Sequence, residues 1–328
     1  MNTVPAEPAD LTQPPPRSTV VVIGNFDGVH RGHRELLRQA RDHAPGLPLV
    51  VVTFWPHPQS VVKPGSQPVL LTDLSARIQL LREAGADEVR VVPFTRDLMA
   101  WEPREFVERV LLPLNPEVIS VGSNFTFGRR AAGTVDTLRE LGAEGQGPGH
   151  YRVAEVGLLK LDEVATCSSR VREAIAEGEV AEAAEHLGRP FRYSGVVVMG
   201  HQRGRELGFP TANLPVEAGH AAPGEGVYAG WLTIDPEAGG VHELPGAGAP
   251  MPAAISVGLN PTFDDVAEVV IEAYVLDRTD LELYGRRVHV DFIERLRGNA
   301  KFDGLDALIE QMHADVSRTR EVLGLDQR

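Results

Sequence analysis

The run Val20-Val21-Val22-Ile23 contains no polar position, and a strand without alternation is one covered on both faces, as inside a parallel sheet. From about Gly32 the spacing becomes helical, with Leu36, Leu37 and Ala40 on one face. The exchange repeats: strand at 49–54, a helical stripe of Leu74, Ile78 and Leu81 closing at Gly85, strand at 88–94, helix at 104–112, strand at 117–121, helix at 135–141, strand at 151–156. Strict alternation of this kind predicts a doubly wound α/β domain with its ligand crevice at the carboxyl ends of the strands.

Past two short helices, at about 169–178 and 180–187, the pattern changes. Short strands rich in Val, Tyr and Ile, broken by Gly and Pro, are predicted at 193–199, 226–234, 253–257, 269–276 and 287–293, with no helix between them. They predict a small β-barrel or sandwich. A last helix carries Leu305, Ile309, Met312 and Val316 on one face, which is expected to pack on the barrel. The change of pattern sets the domain boundary near Gly188-Arg189-Pro190, so that 19–187 forms one domain and 188–328 the other.

Composition narrows the partners. A net charge of -14 argues against nucleic acid, whose phosphates are held largely by Lys and Arg. No apolar run reaches the roughly 18 residues of a membrane span. The single cysteine, Cys167, excludes an intrachain disulfide and a cysteine zinc site, and fits the reducing cytoplasm. Residues 1–18, with Pro5, Pro8, Pro14, Pro15 and Pro16, read as a disordered tail and lack the basic start and apolar core of a secretory signal.

The chemistry concentrates where the first strand meets the first helix. In Gly24-Asn25-Phe26-Asp27-Gly28-Val29-His30-Arg31-Gly32-His33, a helix amino end offers backbone N–H groups and a favourable dipole to an anion. Gly24, Gly28 and Gly32 let backbone approach a ligand, and His30 and His33 bring two imidazoles one turn apart, within reach of one phosphate chain. Further loops fall at strand ends: Trp55-Pro56-His57-Pro58, Gly122-Ser123-Asn124-Phe125-Thr126-Phe127-Gly128, and Thr166-Cys167-Ser168-Ser169-Arg170-Val171-Arg172 at a helix start. In the second domain, the glycines of 200–208 allow a loop to fold over phosphate, and Thr211 and Asn213 place two neutral oxygens on one side of an extended segment.

The first loop resembles the HxGH signature of the nucleotidyltransferase superfamily, in the form found in bacterial bifunctional riboflavin kinase/FAD synthetases. The segment 122–128 resembles that family's G-x-[DN]-F-x-F-G loop. The segment 166–172 resembles the second signature I-S-S-T-x-x-R, with Thr166 and Cys167 standing for Ile and Ser and Ser169 for Thr. Gly200-His201-Gln202-Arg203-Gly204-Arg205-Glu206-Leu207-Gly208-Phe209-Pro210-Thr211-Ala212-Asn213 resembles the riboflavin kinase motif ending in G-F-P-T-A-N, supported by Gly226-Val227-Tyr228, by 256–263 and by Leu283-Tyr284-Gly285. The family's L-R-x-E-x-K-F reads Leu296-Arg297-Gly298-Asn299-Ala300-Lys301-Phe302, with Asn299 for Glu.

The resemblance implies an N-terminal α/β doubly wound nucleotidyltransferase-type domain plus a C-terminal all-β Greek-key barrel with a C-terminal helix. It implies phosphorylation of riboflavin to FMN in the barrel and adenylylation of FMN to FAD in the first domain, with ATP as co-substrate and Mg2+ as the metal. By the same resemblance His30, His33, Arg172 and Glu272 are catalytic, Glu272 as general base of the kinase. Gly24, Asn25, Phe26, Asp27, Gly28, Gly32, Ser168, Ser169, Gly200, Gly204, Arg205, Gly208 and Pro210 bind nucleotide. Asn124, Phe125, Gly128 and Arg297 border the flavin, and Thr211 and Asn213 hold the metal. The expected partners are riboflavin, FMN and ATP, with neither nucleic acid nor membrane and with room for a homo-oligomer. Two other readings stay open: a chain that keeps one of the two activities, and a flavin-binding regulator without turnover, for which both phosphate motifs and Glu272 would be unneeded.

Overall fold

Val20 to Ile23 are buried on both faces because β1 (Thr19–Ile23) runs through the middle of a five-stranded parallel sheet. In the computed structural model the described residues are 17–325, except 146–148, 158, 162–163, 201–207, 237–247 and 262–266. Residues 1–16, Gly204, Arg205, Thr262 and Phe263 thus lie outside the described residues.

After β1 come α1 (Arg31–His43), β2 (Leu49–Trp55), α2 (Pro58–Val62), α3 (Leu74–Glu83), β3 (Glu88–Pro93), α4 (Arg96–Ala100), α5 (Pro103–Phe106), β4 (Pro116–Gly122), α6 (Val135–Glu144) and β5 (Arg152–Val156). The strand order is β3-β2-β1-β4-β5, every pair parallel. Val20 and Val22 pack with Leu36, Leu37 and Ala40 of α1 on one face of the sheet. Val21 and Ile23 pack on the other with Phe54, Phe106 and Leu111. The order reverses between β1 and β4, which opens a crevice at their carboxyl ends.

The helix expected over 104–112 is broken into α5, a π-helical turn Val107–Leu111 and a 3-10 turn Leu112–Leu114. Pro113 removes a backbone donor and cannot continue an α-helix, and the wider turn buries Val107, Val110 and Leu111 together. The two-residue strands β6 (Lys160–Leu161) and β7 (Val164–Ala165) form a hairpin too short to leave a periodic signal.

The chain divides into two compact units after Ser168, earlier than the predicted boundary at 187/188. The two short helices α7 (Ser168–Glu177) and α8 (Val180–Leu187) are counted with the second unit, whose sheet strands α8 packs against. That unit contains β8 (Phe191–Val196), β9 (Thr211–Pro215), β10 (Gly226–Ile234), β11 (Met251–Pro261), β12 (Ala267–Val275), β13 (Arg287–Arg297) and α9 (Leu305–Val322).

The second sheet is antiparallel, ordered β8-β13-β10-β11-β12-β9. Its two edges meet: Val198 N donates to Asn213 O at 2.9 Å, and the Tyr193 hydroxyl donates to Pro215 O at 2.9 Å. The sheet is therefore a barrel, with Leu214, Ile271, Ala273 and Phe292 among its buried side chains.

The expected face of α9 is met in part, with Ile309, Met312 and Val316 half-buried and the helix packed on the barrel strands. Leu305 is exposed, and the buried positions are Asp315 and Thr319. Asp315 is drawn inward because Arg297 donates to it through two bonds, at 2.9 and 2.6 Å.

Candidate active site

Two cavities carry the motifs. In the first unit a cavity of about 1110 Å³ lies at the carboxyl ends of β1, β4 and β5, bordered by Ile23, Gly122 and Val156. One end is polar, with Asn25, His30, His33 and Ser168; the other is aromatic, with Phe54, Phe94, Phe106, Phe125 and Phe127. Such a division suits a flat apolar ring system joined to phosphate.

The polar end is built by the turn between β1 and α1. His30 caps α1, its Nδ1 accepting from His33 N at 3.3 Å. The His30 and His33 rings stack with centroids 3.5 Å apart and 17° between planes, and Phe26 meets His33 edge-on at 5.1 Å. Two imidazoles thus face the cavity as one unit at a helix amino end, where anionic charge is favoured. The turn holds three residues at positive φ: Phe26 at 53°, Gly28 at 82° and Val29 at 41°. For β-branched Val29 this is a strained conformation, of the kind found at ligand sites.

Asp27 does not line the cavity. It is 2% exposed, and its carboxylate accepts from Leu71 N, Thr72 N, Thr72 Oγ1 and the guanidinium of Arg77. Gly24, Asn25, Phe26 and Gly32 do line it, while Gly28 donates its N–H to Thr72 Oγ1 at 3.2 Å. Ser168 reaches the same turn, its Oγ donating to Asp27 O at 2.9 Å.

Asn124, Phe125 and Gly128 line the cavity, with Phe125 and Phe127 stacked at 5.4 Å. The loop closes through reciprocal bonds between Phe127 and Gly133. Arg129 and Arg130 also border the cavity and escaped the sequence reading, although two adjacent cations after a glycine were a visible signal. Cys167, exposed, lines it between Thr166 and Ser168. Ser169 and Arg172 stand on α7 beyond Ser168, within the second unit, Ser169 exposed and Arg172 half-buried. His57 caps the short α2, its Nδ1 accepting from Gln59 N at 3.2 Å.

In the second unit a cavity of about 710 Å³ is bordered by Gly208, Pro210, Thr211, Asn213, Arg278 and Tyr284. Asn213 Nδ2 donates to Thr211 O at 3.2 Å and Oγ1 at 3.4 Å, which holds the two side chains together on one face of β9. Gly200 lies against them: a Cβ there would fall 2.5 Å from Asn213 Oδ1, so only glycine leaves that oxygen room. Two bonds from Arg278, at 2.7 and 2.9 Å, hold the carboxyl of Asp280 below its ordinary range.

Glu272 is half-buried on β12, opposite Asn213 of β9 and Ser256 of β11. Residues opposite each other in antiparallel strands share a face, so Glu272 stands beside the Thr211 and Asn213 side chains, while Ile271, Ala273 and Val275 point into the core. Arg297 forms its ion pair with Asp315, and Arg287 lies 3.6 Å from Asp235. Asn299 donates to Val257 O at 3.1 Å and to Glu225 at 3.2 Å.

Comparison with known proteins agrees with this division. A family model described as FAD synthetase matches residues 12–170, and one described as riboflavin kinase matches residues 187–323. A protein of Escherichia coli (strain K12) named bifunctional riboflavin kinase/FMN adenylyltransferase is 34% identical over 320 residues, 96% of each chain. One of the same name from Listeria monocytogenes is 33% identical, covering 92% of this chain and 91% of its own. A crystal structure described as a macrolide-efflux protein from Streptococcus pneumoniae superposes with a TM-score of 0.81 at 32% identity, covering 93% of this chain and 95% of that one. Among the described residues no helix is long and apolar enough to cross a membrane. With both family models matched in order, and relatives bearing both names aligned over nearly their whole length, the chain belongs to the bifunctional riboflavin kinase/FMN adenylyltransferase family.

Proposed function

We propose that the chain carries both activities of its family, adenylylation of FMN in the cavity of the first unit and phosphorylation of riboflavin beside Thr211, Asn213 and Glu272. The observation that carries the first assignment is the joining, in one cavity, of the stacked His30–His33 pair to a cluster of aromatic side chains. An FMN phosphate oxygen attacks the α-phosphorus of ATP and pyrophosphate leaves. This exchange needs alignment and dispersal of charge rather than a protein nucleophile. His30, His33 and the amino end of α1 take the phosphates; Gly24, Asn25, Phe26 and Gly32 shape the same wall; Asn124, Phe125 and Gly128 border the flavin. Ser168, whose Oγ reaches the same turn at Asp27 O, keeps the part its motif implies, as a donor to the leaving pyrophosphate.

In the kinase, Glu272 takes the proton from the ribityl hydroxyl as its oxygen attacks the γ-phosphorus of ATP. Gly200, Gly208 and Pro210 shape the phosphate side. Thr211 and Asn213 fit magnesium, being hard neutral oxygens held side by side with room kept at Asn213 Oδ1 by Gly200. A magnesium ion bound there would neutralise charge on the triphosphate. We assign 19–187 to adenylylation and 188–328 to the kinase, and place the chain in the cytoplasm, where ATP is supplied and the thiol of Cys167 stays reduced. Neither nucleic acid nor membrane enters this reading.

Incubation of the purified chain with riboflavin, ATP and magnesium, followed by separation of FMN from FAD, tests both assignments. Both products are expected. His33→Ala should cut FAD formation by about 10³-fold while FMN accumulates. A folded variant with normal FAD synthesis removes the role given to His33, and flavin bound without any product formed favours a regulator.

A further inference from the structure

We propose that Arg77, on α3, is the positioning residue of the adenylylation site, fixing the turn that carries His30 and His33 against the end of β2. The proposal rests on the assignment of adenylylation to the first unit.

Arg77 is 0% exposed, and its ion-pair partner Asp27 is 2% exposed. A guanidinium is a costly way to fill a core that Leu or Met would fill, so its contacts need an account. They run to two separate chain segments. Nη1 donates to Asn25 O at 3.0 Å and to Phe54 O at 3.4 Å, and Nη2 donates to Asp27 Oδ1 at 3.3 Å. The guanidinium also lies 5.5 Å from the centre of the Trp55 ring. One planar cation thereby joins the turn after β1 to the end of β2, and both border the cavity, through Asn25 and through Phe54. Only the fork of a guanidinium reaches three acceptors in fixed directions at once.

The turn it holds would not keep its shape by itself. Phe26 and Val29, on either side of Asp27, sit at φ of 53° and 41°, and such backbone persists only where its surroundings over-determine it. Asp27 supplies part of that hold, accepting from Leu71 N and Thr72 N, and Arg77 adds to it by gripping the carbonyl of Asn25, which also accepts from Thr53 Oγ1 at 3.0 Å. His30 follows Val29 directly, so a relaxed turn shifts the cap of α1 and the imidazole pair with it. Transfer at phosphorus tolerates little displacement of its aligning groups. Arg77 touches no reacting atom; it acts through the turn.

The test uses the full chain with Arg77→Met, Arg77→Lys and the double variant Asp27→Asn/Arg77→Met, measuring FAD formation from FMN, FMN formation from riboflavin, and thermal unfolding. For Arg77→Met, kcat for FAD should fall about 10²-fold while FMN formation stays within about twofold of wild type. Arg77→Lys keeps the charge beside Asp27 but not the fork, and should lie between, about tenfold down, with unfolding little moved. The double variant removes the stranded carboxylate, so it should regain stability without regaining rate.

The inference is overturned if folded Arg77→Met or Arg77→Lys makes FAD at the wild-type rate, if both activities fall together, or if the double variant regains rate along with stability. A wild-type chain that makes FMN but no FAD overturns the assignment of adenylylation and the inference with it. A wild type active beside an equally active Arg77→Met overturns the inference alone.

Discussion

Two carboxylates of this chain show how neighbours decide what a residue can do. Asp27 lies inside a motif that reads as a nucleotide loop, yet its oxygens face the backbone of Leu71 and Thr72 and the guanidinium of Arg77. It can shape the loop but offers nothing to the cavity. Glu272 is half-buried between Asn213 and Ser256, on the face that carries the Thr211 and Asn213 side chains. Arg297 is paired with Asp315, and Arg287 lies 3.6 Å from Asp235. Glu272→Gln keeps the shape and removes the base, so FMN synthesis should drop about 10²-fold while FAD synthesis from supplied FMN is unchanged. Retained kinase turnover with a lowered melting temperature would make Glu272 a structural residue.

At the scale of elements, α9 shows a polar contact joined to a helical apolar stripe. Ile309, Met312 and Val316 lie half-buried along one face, Leu305 is exposed, and Asp315 and Thr319 on that same face are the most buried positions. Arg297 binds Asp315 through both oxygens, Gln311 donates to it at 2.9 Å, and Arg297 lies over the Phe302 ring at 5.9 Å. The arginine that resembles a flavin contact in sequence is thus the anchor of the last helix to the end of β13. Asp315→Ala strands a partly buried guanidinium and should cost about 2 kcal/mol, less than a fully buried pair because Arg297 keeps some solvent. Urea unfolding of the second unit checks it, and an unmoved midpoint would mean that the apolar contacts of α9 alone hold it.

On the scale of the whole molecule, the place where the units divide determines what can be cut apart. α7 and α8 bury Val171, Ala174, Ile175, Val180, Ala183 and Leu187, and they are tied to the barrel by Gly224 N to Ile175 O at 3.0 Å and Arg295 to Glu177 O at 3.3 Å. A fragment of residues 169–328 should therefore unfold cooperatively and make FMN, whereas 188–328 should be less stable, because it uncovers the surface under both helices. Comparing the two fragments by thermal unfolding and by FMN formation tests this. Equal behaviour would show that the helices contribute nothing to the barrel.

The alternation of strand and helix, the change to short strands and the phosphate motifs are local patterns, and the sequence alone determined them. Hydrophobic period and glycine placement act over a few residues, so the five parallel strands, a second domain of short strands in a barrel or sandwich, and the pairs His30–His33 and Thr211–Asn213 were legible in the sequence. Only the tertiary structure decided that Arg77, in an unremarkable helix, grips the His30 turn from 52 residues beyond Asn25. The same holds for Asp27 turning from the cavity, Arg297 turning to α9, and α7 and α8 being counted with the barrel. Each of these rests on a charge or an apolar face meeting a partner distant in the chain, and periodicity along one segment carries no information about what will be packed against it.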